Sequence, residues 1–341
     1  MESTSPVHKV IISILNWNSA ELTLKCIRSL LALSVPTNCQ IQITVIDNGS
    51  EERDYLTLKD GIDPGLVHLH RQPENLGFAG GHNVTINQAL KLGVDFIWLM
   101  NSDAVVESAA LSILLHEMAS HPDCGAISPV IVSTDDDLTF DFCGNVHDWV
   151  GRGSIRATDL TSAMVLQEKH PADYWVAGTA VLFRVKALSE VGILDSRLFA
   201  YYEDDDICAR LSKAGWTSRT AFQARARHAV FARHFDRPAH FHYLTNRNHL
   251  FFWQKHTPSA FRRLLWLKLI DYQFFEINRL YRRGLIMQGD AGLLGIHDFL
   301  VGRMGRPILK RRVPILTRML QRLMALVQHK ALNKSPSDSA S

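Results

Sequence analysis

The side chains best suited to chemistry are acidic. Four consecutive acids, Glu203, Asp204, Asp205 and Asp206, follow the pair Tyr201–Tyr202 and open a helix predicted over Ile207–Ala214, closed by Gly215. Carboxyl groups crowded beside large apolar side chains are poorly solvated and repel one another, which raises the pKa of at least one of them. A carboxylate poised near neutral pH is a general base. Acids also suit a helix N-terminus on electrostatic grounds alone, so this stretch by itself leaves both readings open. A second set lies where predicted strands end: Asn16 and Asn18, Asp47 and Asn48, Asn101 and Asp103. A third, Glu74–Asn83, carries Gly77, Gly80 and Gly81 before a helix. There, backbone N–H groups could approach a diphosphate, or the glycines could simply make a tight connection. His228, His234, His240 and His242 have no Cys within ligand spacing and match no closed zinc site. His228 stands as a candidate single metal ligand or phosphate donor.

These residues need elements to position them, and the hydrophobic pattern supplies an α/β frame. The continuous apolar run Lys9–Leu15 reads as a strand buried on both faces, and Ile41–Ile46, Leu66–His70, Asp95–Met100 and Gly125–Val132 read as the second to fifth strands. Helical spacing separates them at Ala20–Leu33, Glu51–Leu58, Gly81–Leu92 and Ser108–Ser120. Such alternation implies an open, mostly parallel sheet flanked by helices. Ligands in such sheets sit beyond the carboxyl ends of the strands, where the second set lies. The loop after the first strand has no glycine, so the dinucleotide fingerprint of a Rossmann dehydrogenase is excluded. Alternation fades over Ser133–Pro171, with Asp135–Asp137 expected as a solvated turn and Gly144, Gly151 and Gly153 punctuating short extended pieces. Tyr174–Phe183, with Trp175, Gly178 and Thr179, is expected as one central strand, and Val185–Val191 as a helical turn. Phe241–Trp253 is expected as an aromatic-rich helix.

Composition bounds the rest. The chain has 341 residues, 46% hydrophobic and 21% charged, and a formal net charge of +3. That balance is ordinary for a folded globular protein. The charge is unevenly spread: Ala260–Ser341 holds 15 Lys+Arg against 5 Asp+Glu, leaving 22 against 29 in the first 259 residues. Helical spacing over Phe261–Tyr281 and Ile315–Val327, with basic residues on the other faces, suits packing on the core, on a partner subunit in a homo-oligomer, or on anionic lipid. Asn333–Ser341 is expected to be a disordered tail. Five scattered cysteines suggest free thiols in a reducing cytoplasm. The first residues lack the apolar core of a signal peptide and no run is long enough to span a membrane, so the expected location is cytoplasmic, at most on the inner face of the membrane.

Five motifs recur in order: Val45–Ser50, Asn75–Gly81 with Asn83, Leu99–Asp103, Gly178–Leu182, and Phe199–Asp204 through Arg210. Together they make the chain resemble the inverting family 2 glycosyltransferases of GT-A fold, most closely their rhamnosyltransferase-like bacterial branch. The resemblance covers about Val10–Trp253. It implies a GT-A domain over 1–258, with a nucleotide-binding half near 8–132 and an acceptor and catalytic half near 133–258. A basic amphipathic helical extension follows over 259–332, then the tail at 333–341. By the same resemblance, Asp204 is the catalytic base with Glu203 supporting it. Asn16, Asn18, Asp47, Asn48, Asn75, Gly77, Gly80, Gly81, Asn83, Asn101 and Asp103 surround the nucleotide sugar. Asp103 holds Mg²⁺ or Mn²⁺, with His228 as a further metal contact, although Asn101 replaces the first acid of the usual DxD motif. Trp175, Gly178, Thr179, Asp206 and Arg210 lie towards the acceptor; within the quartet, Asp206 helps to position the base and Asp205 is an exposed helix-start acid. The implied donor is dTDP-L-rhamnose, with UDP- or GDP-sugars as alternatives. The implied acceptor is a glycan, often lipid-linked, on the way to a bacterial surface polysaccharide. No nucleic-acid partner is expected. The competing functions are a nucleotidyltransferase, for which the loop after the first strand lacks a phosphate-binding sequence, and a non-catalytic sugar-binding scaffold of the same fold.

Overall fold

In chain order the strands of the computed structural model are β1 His8–Asn16, β2 Cys39–Asp47, β3 Val67–Arg71, β4 Phe96–Asn101, β5 Ala104–Val106, β6 Cys124–Ser133, β7 Phe140–Phe142, β8 Asn145–Asp148, β9 Gly153–Arg156, β10 Tyr174–Trp175, β11 Ala180–Arg184 and β12 Thr217–His228. The helices are α1 Ala20–Leu31, α2 Glu52–Asp60, α3 Gly77–Leu92, α4 Ala110–Ser120, α5 Leu160–Lys169, α6 Val185–Val191, α7 Glu203–Lys213, α8 Ala239–His256, α9 Arg262–Arg282, α10 Ile286–Leu300 and α11 Ile315–Val327. The structure describes residues 7–134, 140–149, 153–229 and 234–329, without the side chains at 234 and 262–267. The expectations for Asp135–Asp137, for Gly151 and for 333–341 lie outside the described residues.

Two compact units divide the chain. The first comprises the residues up to Asp148 together with Gly153–Val230, and the second comprises 149–152 together with Phe231 onward. The first unit is built on a mixed sheet of order β3-β2-β1-β4-β11-β6-β12-β5, with β7 added on β6. β1, β2, β3 and β4 are parallel, as the alternation of strand and helix implies. β11 then pairs antiparallel with both β4 and β6, standing between two strands that run the same way. The sequence pattern could not show this insertion. The run Tyr174–Phe183 is accordingly two strands: Tyr174–Trp175 joins a separate three-stranded sheet, β10-β8-β9, and only Ala180–Arg184 enters the main one. β12 is a long strand that the polar run of Thr217–His228 conceals. It pairs parallel with β6 and antiparallel with β5. Ile12, Ile14, Val45, Ile97, Trp98 and Leu182 anchor the core, each with almost no exposed surface.

The second unit contains α8, α9, α10 and α11. Glycine sets the contact of α8 with α10. A Cβ on Gly295 would lie 2.3 Å from the carbonyl of Tyr243, so only glycine lets these helix backbones approach. Buried Asp298 accepts hydrogen bonds from Tyr243 and Arg311 and pairs with Arg303, which balances its charge. α10 was not anticipated from the sequence.

Candidate active site

The residues at the strand ends are brought together by register. Asn16 pairs with Asp47 across β1 and β2, and Leu15 with Asn101 across β1 and β4. Asn16 is fully buried and wholly engaged. Its Nδ2 donates to Asp47 Oδ1 at 2.9 Å, to Ser50 Oγ and to Asp54, while its Oδ1 accepts from Thr23 at 2.7 Å. It therefore positions Asp47 from within the protein. Asp47 Oδ2 is buried with no hydrogen-bond partner among the described residues, and Arg71 Nε stands 3.5 Å away. A buried carboxylate oxygen left open is costly unless something fills its place. A cavity of about 310 Å³ lies alongside, lined by Gly49, Ser50, Arg71, Gln72 and Pro73. Arg71, at the end of β3, is a functional candidate that the sequence reading missed. Asn18 ties the neighbouring loops, accepting from the Glu51 amide at 2.8 Å and donating its own amide to Ser50.

The glycine-bearing turn has internal duties. Asn48 donates to Asn75 Oδ1 and to the carbonyl of Gly77, and accepts from Leu76; Asn75 accepts from the Gly77 amide at 2.8 Å. α3 begins at Gly77, four residues before the predicted start. Gly77 has φ +77°, and a Cβ there would lie 2.4 Å from the carbonyl of Phe199. The Cβ position of Gly81 is filled by Leu15, and that of Gly80 abuts Leu76. These glycines thus admit the protein's own neighbours rather than leaving an open cradle. Asn83 exchanges two hydrogen bonds with the backbone of Leu194, at 2.8 and 3.1 Å. The Ala79 amide donates to the Phe199 carbonyl. Together Asn83 and Ala79 moor the segment that leads into the acidic quartet.

That segment is strained. Phe199, Tyr201 and Tyr202 all have positive φ (67°, 68° and 71°), each at a cost of about 1–2 kcal/mol for a side chain with a Cβ. Strain of this kind persists where surroundings over-determine the backbone, commonly at functional sites. α7 then begins at Glu203, so the four acids form its first turn rather than preceding it. Glu203, Asp205 and Asp206 are buried, while Asp204 retains some exposure. Asp204 Oδ2 accepts from the Gly178 amide and Oδ1 from the Asp205 amide, both at 3.0 Å. Burial first, and repulsion from Asp205 second, push the Asp204 carboxyl up to about 7. Glu203 is pushed well above the usual carboxylate range by burial and by Asp204, and its Oε2 has no partner among the described residues.

Two assignments within the quartet change. Asp205 is not an exposed helix-start acid: it is buried and lies 2.9 Å from His147 Nε2, with burial raising it to about 7. His147, on β8, stacks on Trp175 at 5.6 Å between ring centres, and burial lowers it to about 3, so the ring is neutral. No sequence pattern points to this pairing, because His147 lies where periodicity fades and 58 residues from Asp205. Asp206 bonds Arg210 at 2.9 Å, and Arg210 donates to the carbonyls of Val191, Gly192 and Ile193. Those two side chains brace the turn after α6.

The pairing of β12 with β5 sets His228 opposite Ala104 and hence beside Asp103. His228 Nε2 lies 3.3 Å from Asp103 Oδ1 and 3.4 Å from Asn101 Nδ2, while Nδ1 lies 2.9 Å from Asp141. Burial alone would lower the His228 pKa; hydrogen bonds to Asp103 and Asp141 outweigh it and raise it to about 9. The Asn101 amide donates to the Thr179 carbonyl, which links this group to the Gly178 loop under Asp204. Among the described residues no cluster of three His, Cys, Asp or Glu is set to hold a metal ion. Asp103 and His228 nonetheless offer two adjacent donors, with Asp141 orienting the far ring nitrogen as outer partners of ligating histidines do. Two protein donors fit a water-rich cation completed by a diphosphate rather than an all-protein cage. All five cysteines are free and buried.

A mixed sheet with carboxylates and amides gathered at its strand ends is suited to binding a ligand there, and the comparisons with known proteins give the class. The profile of glycosyl transferase family 2 matches residues 10–192, more than half of the chain; the chain belongs to this family and is a glycosyltransferase. It is 27% identical over 215 residues to an N-acetylglucosaminyl-diphospho-decaprenol L-rhamnosyltransferase of Mycobacterium tuberculosis, spanning 56% of this chain and 67% of the relative. A galactofuranosyltransferase of the same organism is 27% identical over 205 residues, or 59% of this chain and 64% of that one. Among solved structures, a mannosyltransferase of Pyrobaculum calidifontis in complex with GDP-Man and Mn²⁺ superposes with a TM-score of 0.53 at 16% identity, over 97% of this chain and 83% of that one. The last likeness establishes the GT-A-like fold alone.

Proposed function

We propose that this chain is an inverting, metal-assisted glycosyltransferase that moves L-rhamnose from dTDP-L-rhamnose to a hydroxyl of a lipid-linked bacterial glycan. The observation that carries the mechanism is Asp204: a partly exposed carboxylate pushed up to about 7 and held by two backbone amides. Asp204 takes the proton of the acceptor hydroxyl as that oxygen attacks the anomeric carbon from the face opposite the leaving nucleotide. One displacement inverts the configuration. Glu203, pushed well above the usual carboxylate range by burial and by Asp204, lies buried beside the base. Asp205 and His147 fix the first turn of α7 behind the base. Asp47 with Arg71 suits the nucleoside end of the donor, beside the cavity at Gly49–Pro73.

Asp103 and His228 would hold a divalent cation, which neutralises charge developing on the departing diphosphate. A protonated His228 cannot ligate, so cation binding must displace its proton, which Asp103 and Asp141 otherwise stabilise. The rhamnose assignment draws on the name of the mycobacterial relative and on the motif resemblance. A panel of dTDP-, UDP- and GDP-sugars with Mn²⁺ tests it by thermal shift and by nucleotide release. dTDP-L-rhamnose is expected to raise the melting temperature most and to be the donor consumed. Consumption of a UDP- or GDP-sugar instead would overturn the donor assignment, and release from none would overturn the enzymatic one.

A further inference from the structure

α11 is amphipathic in the reverse sense to a helix that faces a core. Its polar residues turn inward. Thr317 and Gln321 are buried, as is Gln328 just past its end. Gln321 donates to Asn278 at 2.8 Å, Asn278 donates to Gln328 at 3.0 Å, and Gln328 donates to the Asp271 carboxylate at 2.7 Å. Arg318 is drawn to the same side by Asp290 and Tyr281. The apolar residues face solvent instead: Ile315 is 77% exposed, Leu316 80%, Met319 60%, Leu323 56%, Leu326 75% and Val327 71%. At about 100° per residue these six fall within one arc of about 120°. The inward hydrogen bonds fix the helix's rotation, so the arc cannot be buried by turning α11 on its axis.

Charge identifies what covers the arc. No Asp or Glu occurs between Asp298 and Asp338, whereas nine Lys or Arg do. Lys310 and Arg312, in the segment leading into α11, and Arg322, on the helix beside the arc, are exposed. Two copies joined through it would press like-charged flanks together with no acid to relieve them. An anionic lipid surface meets both requirements at once, apolar depth and negative charge. We propose that α11 docks on an anionic bilayer, its apolar arc sunk into the interface and its flanking cations at the headgroups. No described helix is long and apolar enough to cross a membrane, so the contact lies in the plane. The helix has 13 residues, which gives it a length of about 20 Å along the surface.

The test uses the full chain and no nucleotide sugar, so its outcome is independent of the transferase reading. The protein is floated on density gradients with vesicles of phosphatidylcholine alone or enriched in phosphatidylglycerol. It is expected to rise with the phosphatidylglycerol vesicles only, and less so as NaCl is raised. Leu316→Ser with Leu323→Ser changes only exposed side chains and leaves Thr317, Gln321 and Gln328 in place. This variant is expected to keep its circular dichroism and melting temperature and to lose about tenfold or more in vesicle partition. Arg312→Gln with Arg322→Gln is expected to weaken partition on phosphatidylglycerol as well. Failure of the folded wild type to float, or flotation indifferent to the serine pair, would overturn the proposal. So would a wild-type dimer that the serine pair dissolves without any vesicle binding, which would assign the arc to a second copy.

Discussion

Replacing Asp204 with asparagine removes the proposed base while nearly preserving its shape, and the structure sets the size of each consequence. The carboxylate accepts one backbone N–H on each oxygen, from Gly178 and Asp205 at 3.0 Å. An amide has one acceptor oxygen, so one of those N–H groups meets an NH₂ and loses about 1–3 kcal/mol. Against this, one charge leaves a crowded turn; two carboxylates about 4 Å apart repel by roughly 4 kcal/mol at an effective dielectric constant of about 20. With Asp204 titrating near 7, only part of that relief is felt at neutral pH. The two effects largely offset, and the melting temperature should move by no more than a few degrees. Loss of a general base lowers turnover by about 10²- to 10⁴-fold, equivalent to roughly 3–5 kcal/mol on the barrier. The assay is initial-rate dTDP release from dTDP-L-rhamnose with a polyprenyl-diphosphate-linked sugar acceptor, at a pH above 7 where the wild-type carboxylate is ionised. Calorimetric titration with dTDP and Mn²⁺ should give a dissociation constant within a few-fold of wild type, because Asp47 and Asp103 are untouched. An asparagine variant that melts normally and turns over within about tenfold of wild type would refute Asp204 as the base.

Four further outcomes follow from the same geometry. Asp204 and Asp205 both titrate near 7 in the fold against about 4 when unfolded, so the native state binds their protons more tightly and loses stability as pH rises through that window. Asp205→Asn keeps an acceptor for His147; its melting temperature should therefore gain on wild type between about pH 5 and about pH 8, and a constant difference would contradict the assignment. Asp103→Ala should abolish the Mn²⁺-dependent part of dTDP binding, and Asp141→Asn should weaken Mn²⁺ binding about 10- to 100-fold by freeing the His228 ring; unchanged titrations with either variant would remove these residues from the cation site. Gly77→Ala puts a Cβ 2.4 Å from the Phe199 carbonyl at positive φ, so it should destabilise the fold by about 2–4 kcal/mol. Chemical denaturation showing less than about 1 kcal/mol would mean that this approach is looser than described.

What could be read from the sequence was whatever rests on local periodicity. The strands β1, β2, β4 and β6 are doubly buried and declare themselves as apolar runs, and Ile315–Val327 is a helix with the expected bounds. β12 escaped notice because its buried face is made of small or polar residues, Ser218, Thr220, Ala224 and Ala226, with Arg219, Arg225 and Arg227 between them, so its period-2 pattern carries little hydrophobic signal. The starts of α3 and α7 were placed late because Gly77 and Glu203 follow residues whose backbone conformation depends on contacts with distant segments. Individual site residues fared similarly. Asp47, Asp103 and Asp204 could be named from motifs, and register does bring Asp103 beside His228. Their partners could not: Arg71, Asp141 and His147 sit in stretches without pattern, and only the folded chain carries them to Asp47, His228 and Asp205. The glycines of the Asn75–Asn83 turn were legible as special positions, but their neighbours, Phe199 and Leu15, were not.

The placement of β11 bears on how the chain can be synthesised and dissected. β4 and β6 run in the same direction but do not touch; Ala180–Arg184 bridges them, arriving about 50 residues after β6 is complete. Until it arrives, Ile97, Leu99 and Ile127 flank a slot with unpaired backbone on both sides, deep in what becomes the core. A fragment ending near Val132 would therefore expose two sticky inner edges and is expected to aggregate. The segment that closes the slot also carries the Gly178 amide bonded to Asp204. Closing the sheet therefore also places one of the two amides that hold the Asp204 carboxylate.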